Sequence, residues 1–549
     1  MRRALLWLAL AAGVLMPPTT VAEILRQSGD PPSAALVFGL WLFKGLVVGH
    51  VVAAWLLGRH LARPSRSETP PSDGRMRWGV GALLLVGLVL RLPGLNGGLW
   101  YDEIQTLVDY VRQPLGIVLT TFDSTNQHLL YSAAAHLTTE LIGATAAGLR
   151  LPAVLFGVLS LWAAVSFARR WMPPTQAWWT AAILAVSYHH VWFSQNARGY
   201  TGLLLGTLVG STLFLDLLRG RPATAGRVWG YGWVMALTVM THVTALVVVA
   251  AHALCWLWQL RHLAKGTPRW APCAALALVG SLALMLYAPV LPQLFTAVST
   301  SGTAVAGVEW QSPGWFLAEA IAGLMRGIPA GVVVVPLAGL VVLAGVVNAA
   351  RRDGLVTTMM LLPLVVMGAL LVSTGHNLWP RFFFFGAAFV VQLAVHGGFV
   401  VLERVVPRFA TRIASSGLAV VTLASLFLLP RAWAAKQDYP AAAAWVRDHA
   451  AAGDVVLGTE MMGLPMNTWL GNSWPIVMDA TSLQVRESAQ GTTWLLYTFP
   501  IRVQSTMPEL WRVMQERYEV AHVVPASIGG GELVIMRRAP GATPAPERE

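Results

Sequence analysis

Leu99-Trp100-Tyr101-Asp102-Glu103-Ile104-Gln105-Thr106 places two adjacent carboxylates behind a Trp-Tyr pair, directly after a long apolar segment. Trp and Tyr collect at the membrane–water boundary, and a charge at the edge of a bilayer is costly unless it is used. The stretch reads as the mouth of a site built at a membrane face, with Asp102 as its reacting group. The rest of the chain has the composition this reading needs. Of 549 residues, 56% are hydrophobic and 12% charged, and the mean hydropathy is +0.59. Apolar runs of about 20 residues, the length of a membrane span, recur throughout. The net charge of +12 would suit nucleic acid, but the basic residues fall in short clusters between apolar runs, as in a multi-span protein oriented by its cytoplasmic loops. Nucleic acid is therefore not an expected partner. Cys255 and Cys273 lie in or beside apolar runs and read as packing residues.

The first apolar run, 4–21, follows Arg2-Arg3 and reads as an uncleaved span or a signal peptide. A second span covers 34–58 and contains Lys44, which only snorkelling accounts for. A Pro/Ser/Arg linker over 59–77 is cytoplasmic under either reading. From there a span over 78–95 carries Trp100 to Glu103 to the outer face. The segment 96–147 is too polar to span and forms a long external loop with amphipathic helices on the membrane. Later spans return to basic clusters at Arg169-Arg170, Arg219 with Arg221, Arg261 with Lys265, Arg351-Arg352, and Arg404 with Arg408. Two shorter apolar stretches meet near Thr241-His242.

The fold class is a polytopic α-helical membrane protein of about 13 transmembrane helices, with a small C-terminal soluble α/β domain. Its parts are N-terminal hydrophobic segments and linker (1–77), a transmembrane catalytic domain (78–431), and an extracytoplasmic α/β domain (432–549). In the last, helices are expected over 437–451 and 508–518, and strands over 454–457, 520–524 and 532–536. The Pro/Ala/Glu-rich tail after Arg538 reads as disordered.

This topology puts Asp102, Glu103, Asp123, His128, Gln195, Arg198, Tyr200, His242, His376 and Arg381 on one side of the membrane. Asp102 and Glu103 point about 100° apart on a helix and are not a facing pair; Asp102, Thr106 and Asp109 share a stripe. Asp102 with Gln105 also fits a capping box, a local role that stands beside the catalytic one. Arg198 and Arg381 oppose the positive-inside trend. An outward guanidinium suits phosphate, and interfacial anchoring beside Tyr200 is the alternative. His242 reads as a packed polar group or a metal ligand, and Asp123 and His128 as surface-loop or site residues.

The segment Leu99 to Glu103, in the first large external loop, resembles the Asp-Glu motif of membrane glycosyltransferases of the GT-C fold. The relevant members are the protein O-mannosyltransferases and the lipid A aminoarabinose transferases. The similarity continues through Gly148-Leu149-Arg150-Leu151-Pro152-Ala153, Trp192-Phe193-Ser194-Gln195-Asn196-Ala197-Arg198-Gly199-Tyr200, and His376 to Arg381, in consistent order over 78–402. Two departures stand out. Ser124-Thr125-Asn126-Gln127-His128 replaces the family's Pro-containing His element, and four Phe residues rather than a Tyr follow Arg381.

The resemblance implies a sugar donor on a polyprenyl phosphate and a glycan, lipid or protein hydroxyl as acceptor, at the outer face of the bacterial cytoplasmic membrane. It makes Asp102 the base. Glu103 becomes a second catalytic residue that orients the loop or holds a divalent metal ion with His242. Arg198, Arg381, His376 and Tyr200 bind the donor phosphate, and Asp123, His128 and Gln195 line the substrate. One base suffices where glycosidases need two carboxylates, because a phosphate leaves without protonation. A transporter or lipid-linked saccharide flippase is the competing reading; it would need charges near the midplane in repeated halves, and the sequence offers Lys44 and no repeat. A non-catalytic scaffold displaying the C-terminal domain is the other.

Overall fold

The computed structural model describes residues 15–27, 31–61, 74–263, 265, 267–301, 309–328 and 330–539. Most of the first apolar run, most of the 59–77 linker and the tail from 540 lie outside them. Among the described residues, seven helices are long and apolar enough to cross a membrane: Ala34–Gly58, Ala146–Ala168, Tyr200–Leu218, Arg269–Ser299, Gly331–Arg352, Gly354–Ser373 and Pro380–Val405. Met76–Val89, Ala245–Gln259 and Ala410–Leu426 are shorter apolar helices. The expected span over 34–58 coincides with a helix, and the one expected to return to Arg351-Arg352 is the helix Gly331–Arg352. Gly331–Arg352 turns Val332, Val333, Leu337, Leu340 and Leu343 outward, an apolar face too extensive for water and suited to lipid. Tyr200–Leu218, by contrast, is almost wholly buried at the centre. The chain is a multi-pass membrane protein.

The expected span over 177–193 is broken. Pro174–Val186 ends and Tyr188–Ser194 restarts, because Ser187 adopts ψ 125° and accepts the His190 N–H on its hydroxyl. Side-chain capping of this kind satisfies a donor that the new helix leaves free. Lys44 does more than snorkel: it is buried, and its ammonium donates to the Met16 carbonyl.

The basic clusters gather at one end of the bundle. Arg170 pairs with Asp216 at 3.2 Å, Arg219 pairs with Asp353, and Arg219 also donates to the Arg170 carbonyl at 2.8 Å. The long helices that meet there carry Arg150, Arg198 and Tyr200 at their opposite ends.

The C-terminal domain contains a five-stranded sheet of β1 (Val455–Thr459), β2 (Ile476–Val477), β3 (Thr493–Tyr497), β4 (Glu519–Val524) and β5 (Leu533–Arg538), in the order β2-β1-β3-β5-β4. β1 runs parallel to β2 and β3, whereas β5 is antiparallel to β3 and β4. The expected helices occur as Tyr439–His449, capped by Asp438, and Pro508–Arg517. The central strand β3 was not among the expected strands. All five of its residues are buried, so it lacks the alternation that marks a half-buried strand. Tyr439, Met462, Met466 and Leu496 share an apolar cluster with Leu99, Ile104, Leu107 and Val111. The C-terminal domain thus sits directly on the loop that carries Asp102.

Candidate active site

The loop around Asp102 is held by its neighbour. Glu103 is wholly buried and accepts from Arg150 Nε at 2.8 Å and Nη2 at 2.6 Å, from the Ala197 N–H at 2.7 Å and from the Trp100 N–H at 3.3 Å. Arg150 spends its three remaining N–H donors on the carbonyls of Leu95, Gly97 and Gly98, so all five are used. Burial raises the Glu103 carboxyl, but the Arg150 charge and hydrogen bonds, with Lys436 and the Ala197 N–H, outweigh it and hold the group below the usual range.

This arrangement revises two expectations. The capping box over Asp102 and Gln105 does not form: the helix Tyr101–Gln105 has Trp100 as its N-cap, and Glu103 reaches back to the Trp100 N–H. Asp102 is left half-buried, and among the described residues its carboxylate has no hydrogen-bond or ion-pair partner. The Asp102 backbone carbonyl is fixed instead, by Thr106 Oγ1 at 2.8 Å and Asn126 Nδ2 at 3.2 Å. The expected metal pair of Glu103 and His242 does not fit either. Both Glu103 oxygens are taken, and among the described residues no cluster of three His, Cys, Asp or Glu could hold an ion.

The turn before Tyr200–Leu218 is pinned residue by residue. Gln195 donates to the Arg91 and Pro93 carbonyls at 2.9 and 2.6 Å, and Asn196 accepts from Trp100 Nε1 at 3.1 Å. Ala197 is tied to Glu103, and Arg198 donates to the Asn126 carbonyl at 2.7 Å and to the Asn126 side-chain oxygen. Gly199 then packs so closely on the end of Ala225–Thr241 that a Cβ would collide with the Thr241 carbonyl oxygen. That approach brings His242 beside Arg198. The His242 ring lies 4.5 Å from His128 and 5.2 Å from Tyr200, centroid to centroid. Its Nδ1 faces the Thr244 N–H at 3.4 Å and hydroxyl at 2.8 Å. Burial, with Arg198 in both cases, lowers the pKa of His128 well below its ordinary value and that of His242 to about 3. Both rings are therefore neutral beside the guanidinium.

Arg381 stands over the Trp379 ring at 3.9 Å and 5.9 Å from the Trp100 ring, within cation–π range of both. His376 lies edge-on to Phe382 at 5.7 Å with its Nδ1 at 3.2 Å from the Asn377 carbonyl, and among the described residues it bonds to no carboxylate. Neither Arg198 nor Arg381 has a carboxylate partner among the described residues, and each keeps a buried Nε without a hydrogen bond, as does His128 Nε2. Two such guanidinium groups suit an anion. Asp123 is an exposed rim residue that accepts the Tyr110 hydroxyl at 2.6 Å. Its neighbour Asp109 has a raised pKa, from burial first and then, against a hydrogen bond from Gln105, the Asp123 charge.

Asn126 and Arg150 were not singled out as site residues from sequence. Arg150 carried a signal: it is an arginine at the end of an apolar run opposite the basic cluster Arg169-Arg170. Asn126 carried none, since its role as a bridge between Asp102 and Arg198 depends on tertiary contacts alone. A separate cleft lies between the membrane domain and the soluble domain, lined by Tyr188, Arg326, Arg431, Trp445 and His522 among others; Asp102 is not part of it.

No protein-family model and no curated protein matches the chain. Among solved structures it is similar to ArnT from Cupriavidus metallidurans bound to undecaprenyl phosphate, with 13% identity over 86% of this chain and 100% of that one, at TM-score 0.47. It is also similar to the Archaeoglobus fulgidus oligosaccharyltransferase tethered with an acceptor peptide, with 10% identity over 84% of this chain and 74% of that one, at TM-score 0.49. A third is the arabinosyltransferase EmbB from Mycobacterium smegmatis, with 15% identity over 66% of this chain and 34% of that one, at TM-score 0.42. All three scores lie below 0.5.

Proposed function

We propose that the chain is an inverting GT-C-type glycosyltransferase that moves a sugar from a polyprenyl phosphate to an acceptor hydroxyl. The reaction takes place at the outer face of a bacterial cytoplasmic membrane crossed about 13 times, with the C-terminal domain outside. One observation carries the reading: two guanidinium groups without carboxylate partners, Arg198 and Arg381, flank the loop of an unpartnered carboxylate, Asp102. Asn126 links Arg198 to the Asp102 backbone, and Trp100 brings Arg381 to the same loop. Arg198 is buried and Arg381 half-buried; an uncompensated buried charge is costly, and an anionic ligand would offset that cost, most of all at Arg198.

In this mechanism Asp102 takes the proton of the acceptor hydroxyl, whose oxygen forms the new bond to the anomeric carbon. The bond from that carbon to the phosphate oxygen breaks on the opposite face, inverting the centre. Arg198 and Arg381 stabilise the charge that gathers on the departing polyprenyl phosphate. Glu103 does not react; with Arg150 it holds the loop that aims Asp102. No step is routed through a metal.

The test is to reconstitute the full chain in proteoliposomes with undecaprenyl-phosphate-linked sugars and a cell-envelope acceptor fraction, and to follow released undecaprenyl phosphate. Acceptor-dependent release is the expected result. Translocation of the donor with its glycosidic bond intact would replace this reading with the flippase.

A further inference from the structure

Four consecutive residues, Gln195 to Arg198, are each held by a different partner: Lys436, Trp100, Glu103 and Asn126 in turn. Three of those partners belong to the loop that carries Asp102 or lie close after it. The fourth, Lys436, belongs to the segment that enters the soluble domain. It is 3% exposed, its ammonium donates to the Gln195 carbonyl at 2.6 Å, and it sits 4.9 Å over the Trp192 ring. Among the described residues it has no ion pair, so burial of its charge is sustained by one carbonyl, one ring face and the nearby Glu103. A buried lysine so placed is an expensive way to fill space. A methionine would pack there without the desolvation cost.

Its neighbours reach in both directions. The Ala435 carbonyl accepts from the Ser527 N–H at 3.1 Å, and Gln437 donates to Thr498 Oγ1 and the Gly531 carbonyl, all in the soluble domain. The Gln437 side-chain oxygen accepts the Tyr101 N–H at 3.2 Å, one residue before Asp102. Trp192, beneath the ammonium, donates to Ser527 Oγ at 2.9 Å. The segment Ala435-Lys436-Gln437 is thus bonded at once to the soluble domain, to the Asp102 loop and to the Arg198 turn.

We infer that Lys436 is a positioning residue through which docking of the soluble domain sets Arg198 for its anionic ligand. The soluble domain is then part of the anion site's framework rather than a display module. The inference rests on Arg198 as a ligand of the lipid phosphate, as proposed above.

The test uses the full chain in lipid nanodiscs and undecaprenyl phosphate as the probe, titrated by native mass spectrometry. Lys436→Met should weaken binding about tenfold or more, the loss expected when the buried Gln195 carbonyl is left without its donor, and Lys436→Arg, which can donate to the same carbonyl, should restore it to within about twofold of the parent. Because Lys436 acts through Arg198, adding Lys436→Met to Arg198→Gln should cost nothing further. A side chain that only stabilised the fold would lower the thermal midpoint and leave the affinity of the folded fraction unmoved, and that result overturns the inference. So do additive losses in the double variant. Failure of the parent protein, or an unchanged Arg198→Gln, would instead remove Arg198 as a phosphate ligand, and the inference with it. Loss with Lys436→Met alone unchanged overturns only the inference.

Discussion

Glu103 and Arg150 meet with Nη2 2.6 Å from Oε2, at 0% and 3% side-chain exposure, and the remaining Arg150 donors go to three backbone carbonyls while Glu103 takes two further backbone N–H groups. Removing one partner of such a pair strands the other charge in a dry environment, at a cost of about 3–5 kcal/mol. Glu103→Gln and Arg150→Met should each lower the thermal midpoint of the purified protein markedly. They should also abolish turnover, because the loop is no longer held. A Glu103→Gln protein as stable as its parent would show that the pair is not what fixes the loop.

Asp102→Asn should behave in the opposite way. Its carboxylate has no partner to lose, so the thermal midpoint should stay within experimental error, while transfer falls by about 100-fold or more, the usual contribution of a positioned base. The pair of variants separates two adjacent acids by role: the first reports stability and activity together, the second activity alone. A folded Asp102→Asn protein with parental turnover removes Asp102 as the base.

The membrane architecture was legible because it is written in composition. Runs such as 331–350 and 354–373 are apolar over almost all of their length, and Arg351-Arg352 lie between them, a pattern that positive-inside reasoning can follow. The break at Ser187 was missed although Ser187-Tyr188-His189-His190 interrupts the apolar run there, since no proline marks it and the run resumes at Val191. Within the candidate site, Asp102, Arg198 and Arg381 could be singled out from sequence because each is a charge beside an apolar run. The division of labour between Asp102 and Glu103 could not. Neighbouring acids look alike until Arg150, 47 residues further on, chooses one of them. Strand β3 escaped for a related reason, as burial on both faces erases the period that betrays a strand.

Arg381 owes its position to rings rather than to carboxylates, lying 3.9 Å over Trp379. A planar guanidinium can stack and still present its edge to a phosphate, which an ammonium cannot do. Arg381→Lys should therefore weaken undecaprenyl phosphate binding nearly as much as Arg381→Gln, by about tenfold, despite keeping the charge. Full retention of affinity in Arg381→Lys would mean that charge alone is read at this position.

Lys436 gives the molecule a pH dependence of predictable sign. Burial pushes its ammonium from 10.5 down to about 7, the Glu103 charge opposing the shift and Arg150 adding to it. Between those two values the unfolded chain holds a proton that the native protein has released, so the unfolded state binds more protons and stability gains with rising pH. Below about 7 both states carry the charge, and the native state bears the full cost of burying it. The thermal midpoint of the parent, relative to that of Lys436→Met, should therefore rise from pH 7 towards pH 9 in matched detergent, since the methionine variant lacks the titrating group. Only the difference between the two proteins is informative, because other groups titrate equally in both. A difference that is flat over that range would mean that Lys436 keeps its proton in the folded protein throughout it.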